Sequence, residues 1–379
     1  MEENGYTQEY LELKTVFDPG SPEIRIPGSE ISIVNLSFES YIDNNIFSNR
    51  EDLFVKENTS FSYPVFVPEN PDTANAILFL HGLNERSWVK YLAWAYRLCS
   101  LTGSYVILFP ISFHMNRAPA SWADPRQMLN PMIERKSLYG DVEMTSYANI
   151  ALSNRLTDDP MRFFISGYRT AFDIVKLMKQ IKSGDQMIIP KGSRVNLFSY
   201  SIGAFLAQIL VMGNPEGLFS DTKLFMFCGG SVFSMMYGTS KLIMDSRAYD
   251  KIHGFYLNDF EKTITKKNAV SDFLRSTSLG LAFRSMIDLE RFRSFRESVL
   301  EKLRDQIKAI ALLKDSVIPP DGIVSTMIAK LSGRNHVQVW DFPYAYSHEN
   351  PFPVSSRIPV NDVNSCFDRM ISEAALFLA

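Results

Sequence analysis

One serine, Ser201, lies between an apolar run typical of a strand, residues 194–198, and an apolar run typical of a helix, residues 204–212. Ser199 and Gly203, both small, stand two positions to either side of it. A sharp strand-to-helix turn needs small side chains there, because its backbone is strained and closely packed. Such a turn exposes the serine hydroxyl at the start of a helix, so Ser201 is predicted to be a nucleophile.

A serine nucleophile needs a base, and His348 is the predicted one. It follows the last apolar strand-like run, residues 337–340, and precedes the closing helix. Of the five histidines, His348 has both the chain order and the placement for this role. His253 falls in an insertion, and His336 comes just before a strand.

Asp315 is the predicted carboxylate that orients the histidine. It directly follows the apolar run 307–313 and precedes a Val-Ile-Pro turn. A triad needs a carboxylate to hold the imidazole in one tautomer and to stabilise its charged form. Asp321 is the alternative, although its position also suits the N-cap of the following helix.

The run Ser199-Tyr200-Ser201-Ile202-Gly203 resembles the G-x-S-x-G motif of the α/β-hydrolase superfamily, with Ser199 in place of the first glycine. Ser199 is a weaker candidate nucleophile, because Leu197 two positions before it is not small. The order Ser, Asp, His, each after an apolar run, is also that of the superfamily. The resemblance covers about residues 60–230 and 305–379.

That resemblance also implies an oxyanion hole. In the superfamily a strand ending in His-Gly precedes a loop that supplies one N–H donor, and residues 78–83 match this pattern. The implied donors are the backbone N–H groups of Leu83 and Ile202, with Gly82 allowing close approach. His81 is predicted to be a buried structural histidine that hydrogen-bonds the loop, with a catalytic role as the alternative.

Three further residues are predicted to contact the substrate: His114, Arg117 and Tyr200. The first two follow the strand-like run 105–109, and loops that leave the carboxyl ends of parallel strands face the binding crevice. An anionic group of the substrate would suit them. The alternative for Arg117 is that it ties down its long loop through backbone carbonyls.

Apolar runs alternate with helical periodicity along the chain, which predicts an α/β fold with a doubly wound, mostly parallel sheet. The predicted core comprises residues 56–231 and 301–379, preceded by a polar lead-in over residues 1–55. Residues 111–160 are expected to be irregular. Residues 232–300, after the sixth predicted strand, are expected to form a helical cap whose aromatic residues roof an apolar pocket. A charged helix is predicted for residues 286–306, and a solvated, salt-bridged face is expected for Arg284, Arg291, Arg293 and Arg296.

Composition narrows the classes of partner. The formal net charge of −3 argues against a nucleic-acid binder or a binder of anionic membranes. Three widely spaced cysteines support no disulfide framework or zinc site, and no motif predicts a metal or an organic cofactor. An N-terminus without an apolar stretch predicts a cytoplasmic setting.

The chain is therefore expected to be a serine hydrolase that cleaves an ester of a small-molecule acyl substrate through an acyl-enzyme. A thioesterase, an acyltransferase or a peptidase would use the same triad. A non-catalytic binding protein with a hydrolase fold is the alternative from another class, and Ser199 is its best support.

Overall fold

The computed structural model describes residues 5–40, 50–69, 74–266, 268–327 and 336–379. These residues form a nine-stranded sheet with helices on both faces. The strands are β1 (Glu23–Arg25), β2 (Ile31–Glu39), β3 (Ser60–Pro68), β4 (Asn75–Leu80), β5 (Tyr105–Leu108), β6 (Arg194–Tyr200), β7 (Leu224–Phe227), β8 (Ile307–Leu312) and β9 (Val337–Trp340).

The α-helices of the described residues are α1 (Tyr6–Val16), α2 (Val89–Thr102), α3 (Leu129–Tyr139), α4 (Ile150–Asp158), α5 (Met161–Ser183), α6 (Ile202–Gly213), α7 (Ser246–Gly254), α8 (Phe260–Thr263), α9 (Ala269–Ser276), α10 (Ser278–Ser285), α11 (Arg293–Lys302), α12 (Pro320–Met327) and α13 (Val360–Leu378). A π-helical turn, Phe255–Asp259, joins α7 to α8. Short 3₁₀ turns are Arg50–Phe54, Lys56–Asn58, Met115–Arg117, Ala120–Ala123, Pro215–Gly217 and Phe233–Met235.

The strand order across the sheet is β1-β2-β3-β5-β4-β6-β7-β8-β9. The pairs β1–β2, β2–β3 and β3–β5 are antiparallel, whereas the strands from β5 across to β9 run parallel. The direction in which successive parallel strands are added to the sheet reverses at β4. This strand has β5 on one side and β6 on the other. Ligands of open α/β sheets bind outside the carboxyl ends of the strands at such a reversal. The prediction of a doubly wound, mostly parallel sheet is confirmed.

Alternate residues of the central strands pack against different helix layers. In β4, Ile77 and Phe79 pack with α1, α2 and α13, whereas Leu78 and Leu80 pack with α5 and α6. Both faces of the strand are therefore covered. This explains why β4 is continuously apolar in sequence instead of alternating between apolar and polar residues.

Helix α1 takes part in the core, which differs from the polar lead-in expected over residues 1–55. Helix α1 packs on α2 and α13. The ring of Tyr6 stacks on Phe367 with centroids 4.2 Å apart, and its hydroxyl donates to the carbonyl of Phe352 at 3.2 Å. Only a few side chains of α1 are buried, so its apolar periodicity is too weak to indicate a packed helix.

The segment expected to be irregular, residues 111–160, contains α3 and α4. Helix α3 leaves several large apolar side chains exposed, among them Ile133 and Leu138. A helix that exposes apolar residues lacks the one-sided pattern from which helices are predicted. The sequence of α3 therefore has no clear apolar periodicity, whereas α4 buries Ile150, Ala151 and Leu156 on one side.

The stretch between β7 and β8 is helical and covers α5 and α6. Helix α10 approaches α6 so closely that a Cβ at Gly213 would lie 2.9 Å from the Cα of Leu279. The helix expected over residues 286–306 is reduced to α11. Its N-terminal part is a turn, because the Asp288 carboxylate accepts the N–H of Glu290 and Phe292 adopts a positive φ of 52°.

The arginines of this region form salt bridges, as expected, with one exception. Arg284 pairs with Glu261, and Arg293 with Glu297. Arg296 is the exception. It is 2% exposed and donates to backbone carbonyls, among them that of Ser285, so it holds the turn from inside. No helix of the described residues is long and apolar enough to cross a membrane.

Candidate active site

Ser201 lies at the apex of the turn between β6 and α6, with φ 57° and ψ −123°. Residues other than glycine rarely adopt a positive φ, and such strain is concentrated at functional sites. A Cβ at Gly203 would lie 2.5 Å from the carbonyl oxygen of Leu80. Only glycine fits there, so the sequence pattern and the close approach of β4 have the same steric cause.

Ser199 fills the position where the superfamily motif has its first glycine. It is fully buried in β6, and its hydroxyl donates to the carbonyl of Phe225 on β7 at 3.2 Å. The hydroxyl is satisfied within the sheet. The turn therefore accommodates this serine without an unpaired polar group.

The side chains of Ser201, His348 and Asp315 meet at the carboxyl edge of the sheet. Ser201 Oγ lies 2.7 Å from His348 Nε2, and His348 Nδ1 lies 2.7 Å from Asp315 Oδ2. Each of the three residues is 3% exposed. A carboxylate only accepts hydrogen bonds, so Nδ1 carries the proton. Nε2 of the neutral ring then presents its lone pair to the serine hydroxyl.

The carboxylate of Asp315 is held by its own loop. Its Oδ1 accepts the backbone N–H groups of Val317 and Ile318, both at 2.9 Å. This leaves Oδ2 for the histidine. Asp321, the alternative acid, lies exposed in the first turn of α12.

Tyr200 contacts the histidine instead of lining a substrate pocket, which corrects its expected role. Its hydroxyl donates to the backbone carbonyl of His348. Its ring stacks on the imidazole, with centroids 5.6 Å apart and planes 19° from parallel. The side chain is buried on the same face of the sheet as Phe198, among the residues that pack against α2 and α13.

The two expected oxyanion donors are free to donate. Neither the N–H of Leu83 nor that of Ile202 has a hydrogen-bond acceptor among the described residues, and both residues line the pockets beside Ser201. Gly82 contributes no donor, because its N–H donates to the Tyr91 hydroxyl at 3.1 Å. Its role is steric: a Cβ there would lie 3.2 Å from the ring of Tyr200.

His81 is a buried structural residue, as predicted. Its Nδ1 donates to the carbonyl of Gly82 at 2.8 Å, and its Nε2 accepts the N–H of Ile111 at 2.9 Å. Burial lowers the pKa of His81 to about 4. The neutral ring thus ties the loop after β4 to the loop after β5.

The structure separates the two residues predicted in the 111–118 loop. His114 lines the larger pocket, its Nδ1 donates to the carbonyl of Ser112, and burial lowers its pKa well below the usual value. Arg117 is fully buried, pairs with Asp173 at 2.8 Å and donates to the carbonyl of Pro110. Its guanidinium is occupied inside the protein, so the loop-tying alternative replaces the expected contact with substrate.

Asn84 also belongs to the site, although no motif in the sequence indicates it. Its side-chain amide donates to the carbonyls of Ala148 and Leu242, both at 2.8 Å. These bonds tie the loop that carries Leu83 to two distant segments. Asn84 has a φ of 61°, a conformation in which asparagine is enriched. The preference of asparagine for this conformation is consistent with a turn, but it does not indicate the contacts with Ala148 and Leu242.

Two apolar pockets flank the nucleophile. The smaller one, of about 440 Å³, includes Ser201 and is lined partly by residues of the helical stretch between β7 and β8, among them Phe233 and Met236. The larger one, of about 910 Å³, lies between α5, α6 and the α9–α10 segment. Leu83, Phe163 and Ile202 line both, so the pockets adjoin at the position expected for the reacting carbonyl. Within the described ranges, no group of three or more His, Cys, Asp or Glu side chains could hold a metal ion.

One known protein family matches most of this chain. Residues 41–379 match the model of the "Family of unknown function (DUF6051)". The chain belongs to this family. The curated proteins contain no match to this DUF6051 chain.

Solved structures match the chain over most of its length at low identity. A cold-adapted esterase from an Arctic intertidal metagenomic library is 10% identical, with a TM-score of 0.40, over 96% of this chain and 100% of that one. The S-formylglutathione hydrolase of Agrobacterium tumefaciens is 13% identical, with a TM-score of 0.44, over 92% and 96%. Carboxyl esterase 2 of Tuber melanosporum is 8% identical, with a TM-score of 0.45, over 94% and 89%.

The strand order, the turn at Ser201 and the helices on both faces make the fold of this DUF6051 chain that of an α/β-hydrolase. The chain order of Ser201, Asp315 and His348, each after a strand of the sheet, agrees with that fold.

Proposed function

We propose that this chain is a serine hydrolase that cleaves a carboxylic ester through an acyl-enzyme. The observation that carries the proposal is the line of contacts from Ser201 Oγ to His348 Nε2 and from His348 Nδ1 to Asp315, each 2.7 Å. A serine hydroxyl is a weak nucleophile until an adjacent base takes its proton. These contacts supply both the base and the carboxylate that orients it.

In the first step Ser201 Oγ attacks the carbonyl carbon of the ester while its proton passes to His348 Nε2. The carbonyl oxygen becomes an oxyanion, and the free N–H groups of Leu83 and Ile202 donate to it. The C–O bond to the alcohol then breaks, and the alcohol leaves with the proton from Nε2. A water molecule then attacks the carbonyl carbon of the acyl-enzyme, again with proton transfer through His348 Nε2. This second step releases the acid and free Ser201.

The proposal includes a cap role for the stretch over residues 232–300. Phe233, Met236 and Ile243 line the smaller pocket beside Ser201. Apolar walls around the nucleophile exclude bulk water and strengthen the electrostatic interactions of the oxyanion.

The decisive experiment labels the purified protein with a fluorophosphonate probe and measures ester hydrolysis. Ser201→Ala should abolish labelling and lower kcat by on the order of 10⁴–10⁶. Asp315→Asn should lower kcat by roughly 10⁴, because the imidazole loses its fixed tautomer. Ser199→Ala is the matched control: it removes a buried serine hydroxyl two residues away and should keep both labelling and most activity.

A loss of less than about tenfold in Ser201→Ala would remove the basis of the proposal. Well-folded protein in which the probe leaves Ser201 unlabelled would favour a non-catalytic binding protein. Esters, thioesters and peptides offered side by side separate the esterase from the thioesterase and the peptidase, and an added acyl acceptor alcohol reveals an acyltransferase.

A further inference from the structure

We propose that the larger pocket binds an uncharged, extended apolar chain of the ester and that Gly167 determines how long this chain can be. The inference rests on the proposed function and adds the substrate class. Its three supports are the position of the pocket, the state of its charged groups and the space above Gly167.

The pocket is large and adjoins the nucleophile. It contains about 910 Å³ of empty space, counting the part that is open to solvent. Leu83 and Ile202, which carry the two free N–H groups, line both this pocket and the smaller one that contains Ser201. A carbonyl held at the oxyanion position would therefore lie at the entrance of the larger pocket, within reach for one of its substituents.

The lining is mainly apolar. Its two arginines and its serine are paired, and among its described polar groups His114 Nε2, a neutral ring atom, has no hydrogen-bond partner. Most of the wall comes from aromatic and aliphatic side chains, among them Leu156, Phe163, Phe205, Ile209, Phe273 and Phe283. Arg155 and Arg162 also line it, but both pair with Asp52, at 2.8 and 3.1 Å. The Ser166 hydroxyl donates to a backbone carbonyl at 2.8 Å. An ionised substrate chain would lose its hydration without gaining a counter-ion, whereas a hydrocarbon chain gains by burial.

Gly167 stands inside α5 and lines this pocket. A Cβ at this position would meet no heavy atom within 4 Å. Glycine weakens the interior of a helix relative to other residues, and no close neighbour requires it here. What its missing side chain provides is open space in the pocket.

The experiment measures kcat/KM for p-nitrophenyl acetate, butyrate, octanoate and laurate, and for acetates of alcohols of increasing length. In the parent protein, kcat/KM should rise roughly threefold per added methylene until the pocket is filled. The series that shows this rise, acyl or alcohol, identifies the part of the ester that enters the pocket.

Gly167→Leu fills the open space. It should lower the ratio of long-chain to short-chain kcat/KM by roughly thirtyfold, the equivalent of about three buried methylene groups. Gly254→Leu is the matched control. Gly254 ends α7, also has no heavy atom within 4 Å of a Cβ, and lines neither pocket, so the chain-length ratio should stay unchanged.

Flat dependence on chain length in both series, or an equal change of the ratio in the two leucine variants, overturns the inference while ester hydrolysis still supports the proposed function. If no ester is cleaved and the fluorophosphonate probe leaves Ser201 unlabelled, the proposed function itself fails. Folding of each variant is checked by circular dichroism and by its unfolding midpoint.

Discussion

At the scale of single residues, the contacts around His348 separate groups that react from groups that position. Asp315 hydrogen-bonds to Nδ1 of the imidazole, and Ser201 hydrogen-bonds to Nε2. The Tyr200 hydroxyl donates to the backbone carbonyl of His348, and the Tyr200 ring stacks on one face of the imidazole. The orientation of the imidazole therefore depends on a tyrosine that touches neither the serine hydroxyl nor the pocket.

Tyr200→Phe keeps the stacked ring and removes the hydroxyl donor. We expect kcat to fall about twofold to tenfold with little change in KM, the kinetic equivalent of one hydrogen bond of about 0.5–1.5 kcal/mol. Tyr344→Phe is the control, because its buried hydroxyl donates to the carbonyl of Pro351 at 3.1 Å, in the same loop but away from the ring. Equal kcat values in the two variants would mean that Tyr200 has only a structural role.

At the scale of elements, the turn between β6 and α6 couples catalysis to packing. The strained φ of Ser201 persists because β4 lies against the first turn of α6 at Gly203. A backbone conformation of this kind needs its surroundings to hold it in place. The same contact brings the end of β4, and with it Leu83, next to the nucleophile.

Gly203→Ala would press a methyl group against the carbonyls of Leu80 and His81, which lie 2.5 and 2.7 Å from the Cβ position. We expect the free energy of unfolding to fall by about 1–3 kcal/mol, with a clear loss of the proposed ester hydrolysis as β4 is displaced. Gly254→Ala, at a helical glycine with open space, should leave stability unchanged or raise it by up to about 1 kcal/mol. Chemical denaturation of both variants tests this; similar stabilities would show that the turn tolerates a side chain.

At the scale of the whole molecule, buried neutral histidines make the fold sensitive to acid. Burial lowers the pKa of His81 to about 4 from the usual 6.5, and burial also lowers the pKa of His114. The unfolded chain binds protons at these residues at a higher pH than the folded chain does. Their contribution favours folding above about pH 6.5 and is lost as the pH falls toward 4.

For His81 the loss amounts to about 3 kcal/mol between these two pH values. The measurement is urea denaturation at several pH values between about 7 and 4.5, a range chosen from these pKa values. His81→Gln is the comparison variant: it is expected to be less stable near neutrality but to lose stability less steeply on acidification. Parallel slopes for the two proteins would contradict the assignment to His81.

Local sequence was informative where the physical cause is itself local. The turn at Ser201 follows from small residues at fixed spacing, and the strands β4 to β8 follow from continuous apolar runs that both helix layers cover. The order of Ser201, Asp315 and His348 relative to those strands was also readable from the sequence. These features depend on the backbone conformation and burial of neighbouring residues.

Other features depend on contacts between residues far apart in the chain, and only the tertiary structure decided them. The pairing of Arg117 with Asp173 decides between the two roles that its position allows, and the Tyr200 hydroxyl donates to His348, 148 residues away in the chain. The large pocket arises where α5, α6 and the α9–α10 segment meet, which no periodicity describes. The sequence by itself determined the sheet, the turn and the order of the chemical groups, whereas side-chain partners and pocket shape required the packed chain.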